Sequence, residues 1–228
     1  MNNILENKFI NKHIWAFLII LSSVLSIFLC LFRMYNTQTI IYGFLIWNLF
    51  LAWIPFIISN TLLTTEAKFN SKFYNYFLFI VWLLFLPNCP YIITDIIHLI
   101  DIRFHMPVWY DLMLTTSFAF SGMFAGIISL YQIHLFLNKK IARNKAWLII
   151  LFSIFLSSFG VYLGRYQRWN SWDLFTKPLT LFTGIFESMF YPLAAYTSFG
   201  VTILFSLFTI ISYLIFIILV NQKNNDLN

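Results

Sequence analysis

Two polar segments hold most of the residues able to do chemistry: 86–111, LPNCPYIITDIIHLIDIRFHMPVWYD, and 164–178, GRYQRWNSWDLFTKP. In the first, Asp95 and His98 are three residues apart, a spacing that brings two side chains to one face of a helix. Asp111 offers a third group. A carboxylate beside an imidazole suits proton transfer. Mixed His and carboxylate ligation also suits Zn²⁺, Mn²⁺ or Fe. Asp95, His98 and Asp111 are therefore the expected catalytic residues. The same three are the expected ligands if a divalent metal is the cofactor. A second reading explains the periodicity equally well. At about 100° per residue, Asp95, His98, Asp101 and His105 share one side and Ile96, Ile97, Ile100 and Phe104 the other, as in an interfacial helix. Thr94 or Asp95 is placed to cap that helix.

In the second segment Arg165 and Arg168 repeat the three-residue spacing, as do Trp169 and Trp172. Guanidinium groups match phosphate geometry. Arg165, Arg168, Asn170 and Asp173, with Asn88 and Trp109 from the first segment, are the expected substrate-binding residues. The substrate implied is phosphorylated or lipid-linked, with its phosphate at headgroup depth. Arg168 and Trp172 are spaced for a cation–π contact. Two plainer readings stand beside this one. The arginines snorkel at a membrane interface, or Arg165 or Arg168 pairs with Asp95, Asp111 or Asp173 and fixes the bundle.

The elements that must position these groups follow from composition. The chain has 228 residues, 61% hydrophobic, 21% aromatic and 10% charged. A soluble domain carries about 25% charged residues. This excludes a disordered chain, a disulfide scaffold and almost any cytosolic enzyme. The net charge of +6 orients a membrane protein more readily than it binds nucleic acid. Six stretches reach the roughly 20 apolar residues a spanning helix needs: 14–32, 39–63, 73–93, 112–136, 146–164 and 196–220. None contains Asp, Glu, Lys or Arg, and His134 is the one readily ionisable exception. Their unbroken apolar character excludes alternating barrel strands. The fold class expected is an all-α, polytopic membrane helix bundle. It forms a single domain over 14–220, flanked by mobile tails at 1–13 and 221–228.

The first span reads as an uncleaved signal-anchor, because Leu31-Phe32-Arg33-Met34 offers no small-residue cleavage site. With six spans, nine basic residues fall on the side of both termini and five on the other. The positive-inside rule then places the termini in the cytoplasm and both polar segments outside. Segment 179–195 is short for a span and is read as a re-entrant or interfacial helix. Pro192 favours a break before the last span.

Small residues recur at four-residue spacing in the fourth span (Ser117, Ser121, Ala125 and Ser129; Gly122 and Gly126) and in the fifth (Ser153 and Ser157; Gly160 and Gly164). Such spacing lets helices approach closely. It predicts a tight hairpin in the bundle centre, with Asp111 near Arg165. Most tryptophans read as an interfacial belt. His134, beside Tyr131, is expected to make one local hydrogen bond. Asn48 and Asn60 are expected to bond across helices. Cys30 and Cys89 read as buried free thiols, a disulfide being the alternative.

Leu86-Pro87-Asn88-x-Pro90-Tyr91, Thr94-Asp95-x-x-His98-Leu99, Trp109-Tyr110-Asp111 and Arg165-x-x-Arg168-Trp169-Asn170-Ser171-Trp172-Asp173 together resemble a bacterial integral-membrane family, domain of unknown function 1361. The resemblance runs from about the second span to the last. It implies a small multi-span protein and supplies no activity. The residues themselves leave three functions open: a membrane enzyme with an outward-facing site, an accessory envelope protein, and a small transporter. The absence of charge within the spans weighs against ion-coupled transport.

Overall fold

The computed structural model describes residues 2–65, 72–99 and 106–225. Those residues form α1 (Asn2–Thr37), α2 (Gly43–Thr65), α3 (Lys72–Phe85), α4 (Asn88–Tyr91), a 3-10 helix (Ile92–Leu99), α5 (Val108–Asn138), α6 (Arg143–Tyr166), α7 (Asp173–Thr176), α8 (Pro178–Phe190) and α9 (Pro192–Asn225). No strand occurs among the described residues. Six segments are long and apolar enough to cross a bilayer: Ile14–Thr37, Gly43–Thr64, Lys72–Leu99, Val108–Asn138, Arg143–Tyr166 and Ala194–Gln222. The protein is an all-α, multi-pass membrane helix bundle.

α8 is 13 residues long, about 20 Å at 1.5 Å per residue. That is short of a hydrocarbon core of about 30 Å, so α8 is not a seventh span. Leu179, Phe182, Phe186 and Phe190 are exposed along it, while Leu181 and Ser188 are buried. Tyr191 is extended, and Pro192 opens α9, the break its pyrrolidine ring favours.

The third span is not one helix. Pro90 has no N–H with which to reach the Leu86 carbonyl. The Cys89 N–H takes that carbonyl instead, at 3.1 Å. The ladder therefore tightens, and the chain continues as a 3-10 helix rather than the expected α-helix. Thr94 does not cap it. Its hydroxyl donates back to the Tyr91 carbonyl at 2.6 Å. The expected stripe is described only through His98; Asp101 and His105 lie outside the described residues.

The small residues of α5 and α6 do not pack mainly on each other. The main partner of α5 is α2, and that of α6 is α9. The glycines make room for the turn around α4. A Cβ at Gly122 would stand 2.6 Å from Ile92 Cδ1, at Gly126 2.6 Å from Cys89 Cβ, at Gly160 2.6 Å from Pro87 Cγ, and at Gly164 3.1 Å from Tyr91 Cε2. The broken helix is thus wedged between α5 and α6. The proline pair makes the compact turn, and the glycines admit it.

Polar ties cross the apolar core. Trp82, fully buried, donates to Ser129 Oγ at 2.6 Å, and Ser129 donates to the Pro55 carbonyl at 3.0 Å. This joins α3, α5 and α2, and removes Trp82 from the interfacial belt. Ser59 of α2 donates to Gln132 of α5 at 2.6 Å, and Trp53 of α2 to Ser23 of α1 at 3.0 Å. In lipid each such tie contributes about 0.6–2 kcal/mol. His134 bonds Tyr213 of α9 at 2.7 Å, a contact between spans rather than the local one expected. Cys30 and Cys89 are free, buried thiols.

Candidate functional site

Four side chains from three parts of the chain meet at one end of the bundle. The 3-10 helix supplies two. Three residues per turn place Asp95 and His98 on the same edge, more closely aligned than an α-helix would place them. Asp95 is 1% exposed. Its Oδ2 accepts from Asn48 Nδ2 of α2 at 2.8 Å, and its Oδ1 from Arg165 Nη1 of α6 at 3.4 Å. The same Nη1 stands 3.2 Å from His98 Nε2. A guanidinium nitrogen only donates, so in that contact Nε2 accepts and the imidazole proton sits on Nδ1. Phe44 packs edge-on against the His98 ring at 5.1 Å.

Arg165 lies in the last turn of α6, where a cation is favoured by the helix dipole. Its side chain is 18% exposed. Two bonds engage Nη1, and the Nε and Nη2 donors make none among the described residues. Among the described residues the guanidinium thus keeps a free edge.

Asp111 sits elsewhere. It lies in the first turn of α5 and accepts from Arg33 of α1 through both oxygens, Nε to Oδ1 at 2.6 Å and Nη2 to Oδ2 at 3.0 Å. The side chains are 1% and 8% exposed. The Arg33 guanidinium also stacks over the Tyr42 ring, 4.3 Å from its centroid. Asp111 therefore pairs with Arg33, not Arg165. Among the described residues no three His, Cys, Asp or Glu side chains converge as a metal site; Asp95 and His98 are together, and Asp111 is held apart.

The other expected binding residues knit the two polar segments. Asn88 donates to Ser171 Oγ at 3.1 Å and to the Phe85 carbonyl at 2.9 Å. Asp173 closes its own turn, accepting from the Asn170 N–H at 2.8 Å, from Asn170 Nδ2 at 3.3 Å and from Thr176 Oγ1 at 3.1 Å. The Asn170 backbone N–H is the main cause holding the Asp173 carboxyl below its ordinary value, with the side chains of Thr176 and Asn170 and the charge of Lys177 adding to it against a smaller cost of burial. Arg168 is exposed and left-handed, φ 59°, and makes no ion pair among the described residues. Its backbone turn lets the Trp169 N–H reach the Leu163 carbonyl at 3.2 Å. Trp172 packs on Trp47, 6.4 Å between centroids, rather than on Arg168. Trp109 is exposed beside Tyr110.

Two residues of this end escaped the sequence reading as site residues. Arg33 is one. Its only signal is a lone cation at the end of an apolar helix, which looks like a loop charge. Asn48 is the other: it was expected to bond across helices, but nothing in its surroundings named Asp95 as the partner.

No curated protein and no solved structure matches the chain. A family model does, over residues 47–219, which include Asn48, Asp95, His98, Asp111 and Arg165 and leave out Arg33. That match spans most of the chain, which belongs to the family described as protein of unknown function (DUF1361).

Proposed function

We propose that the protein is an integral membrane enzyme whose site is Asp95, His98 and Arg165, and that it acts on a phosphate carried by a lipid or lipid-linked substrate. The contrast between the two arginines carries this reading. Arg33 meets one carboxylate in a short, doubly bonded and buried pair, which is what holding a bundle together requires. Arg165 meets its carboxylate once, at 3.4 Å, shares the same nitrogen with an imidazole, and keeps donors and exposure to spare. Those spare donors suit two oxygens of a phosphate. His98 is placed to take or give a proton beside it, and Asp95, held by Asn48, keeps the guanidinium aimed. The 3-10 helix of eight residues runs longer than the usual three or four and sets Asp95 and His98 on one edge.

We further place the protein in the cell membrane with both termini in the cytoplasm and this site on the outer side, following the excess of basic residues in the terminal-side connections.

Native mass spectrometry of the purified chain with a polyprenyl phosphate tests the reading. The wild type should retain the lipid, and Arg165→Gln should release it while staying folded. His98→Gln should retain the lipid but leave its headgroup unprocessed. Equal retention by wild type and Arg165→Gln would sink the proposal.

A further inference from the structure

The turn that ends α6 carries the wrong residue for a turn. The Gln167 N–H bonds the Leu163 carbonyl at 3.1 Å, and the Trp169 N–H reaches the same carbonyl at 3.2 Å. Closing a helix in this way sets one residue in the left-handed region, ordinarily a glycine. Here that residue is Arg168, φ 59°. A Cβ makes the conformation unfavourable. Gln38 is the other described non-glycine residue with a positive φ, and its side chain helps to close its own helix, donating to the Tyr35 carbonyl at 2.6 Å. The Arg168 side chain does no such task. It is exposed and makes no hydrogen bond or ion pair among the described residues. Trp172, which is spaced to receive its cation, packs on Trp47.

The strained turn is braced on both sides. Trp169 Nε1 donates to Gln167 Oε1 at 2.9 Å, and Gln167 Nε2 donates to the Gly184 carbonyl of α8 at 3.0 Å. Asp173 accepts from the Asn170 N–H at 2.8 Å, and Asn88 of α4 donates to Ser171 Oγ at 3.1 Å. An unfavourable backbone angle persists where the surroundings over-determine it, and such outliers gather at binding sites. Glycine would serve this turn better. Arginine serves it worse and adds a guanidinium.

Arg168 is three residues from Arg165 and is the cation nearest to it in sequence. Arg165 has one nitrogen engaged by Asp95 and His98. Its Nε and Nη2 suit the oxygens of one phosphate. A second phosphate on the same molecule needs a second cation, and Arg168 has no carboxylate of its own among the described residues.

We propose that Arg168 binds the second phosphate of a lipid diphosphate, with Arg165 on the first. This rests on the reading of Asp95, His98 and Arg165 as a phosphate site, and it narrows the preferred substrate of that site to diphosphates.

Titration calorimetry of the full chain in detergent, in buffer free of divalent metal, compares farnesyl phosphate with farnesyl diphosphate. The two share one chain and differ by one phosphate. The wild type should bind the diphosphate about tenfold more tightly, the gain from one further charge-assisted contact. Arg168→Gly should bind both ligands alike, at the wild-type affinity for the monophosphate. It should also melt at or above the wild-type Tm, because glycine relaxes the left-handed turn. Arg168→Asn, which also tolerates that turn, should lose the preference too. A purely structural Arg168 predicts that Arg168→Gly keeps the diphosphate preference, and that result overturns the proposal. A wild type with no preference overturns it without recourse to any variant. Failure of the underlying site reads out separately: Arg165→Gln should weaken both ligands, and if it binds both as the wild type does, the phosphate site falls and this proposal with it.

Discussion

Arg33 and Asp111, 78 residues apart in sequence, lock α1 to α5 through two parallel hydrogen bonds of 2.6 and 3.0 Å, with both side chains removed from solvent. A pair of this kind stabilises little against an apolar substitute, but breaking it strands a charge. Arg33→Ala should therefore cost about 3–5 kcal/mol, and so should Asp111→Ala. The double substitution Arg33→Met with Asp111→Leu should recover most of that loss. Thermal unfolding in detergent checks this; single variants as stable as wild type would remove the pair from the fold's supports.

The glycines that admit the α4 turn make a second, graded test. Gly160→Ala sets a Cβ 2.6 Å from the rigid ring of Pro87, and Gly126→Ala sets one 2.6 Å from Cys89 Cβ. Each should destabilise by about 1–3 kcal/mol. Gly200→Ala meets nothing within 4 Å and should be neutral or mildly stabilising, since Ala favours helix. The same unfolding assay should rank the three in that order.

Ser129 serves two neighbours at once, accepting from Trp82 and donating to the Pro55 carbonyl. Ser129→Ala leaves the fully buried Trp82 N–H without a partner, which costs about 1–3 kcal/mol. Trp82→Phe in that background should then cost less than it does alone. Additive losses would show that the tie contributes nothing.

Asp173 gives a pH dependence of defined sign. Hydrogen bonds from the Asn170 backbone and from Thr176 lower its carboxyl below the unfolded value of 3.8. The stability this contributes is complete above that value and is lost as pH falls through the lowered folded value. Carbon-13 NMR of the labelled carboxyl should give a midpoint below 3.8, and Asp173→Asn should abolish the acid loosening of the 170–176 turn. A midpoint at or above the unfolded value refutes it.

Much of the fold was legible in the residues. Six unbroken apolar stretches leave backbone groups in lipid one economical solution, the helix, so span number followed from length alone. Pro192 marked the start of the last helix for the same local reason, a missing N–H. The helical pattern read through Asp95 and His98 put both on one face, and the 3-10 helix kept them there because its repeat is three. Of the residues expected to bind substrate, Asn170 and Asp173 bond each other, and Asn88 bonds the adjacent Ser171.

Pairing was not legible. Sequence offered Asp111 two arginines, Arg165 and Arg168, and the small-residue spacing favoured Arg165, while Arg33 looked like a loop charge. The small residues of α5 and α6 announced a close approach without saying what would approach. Side-chain type and local hydrogen bonding are properties of a short segment, so the sequence alone determined the membrane character, the helices, their breaks and the gathering of polar groups in two connections. Which cation meets which carboxylate, that a proline turn fills the glycine groove, and that His134 meets Tyr213 of α9 depend on how distant helices dock. In lipid that docking rests on shape and a few polar contacts, and only the tertiary structure decided it.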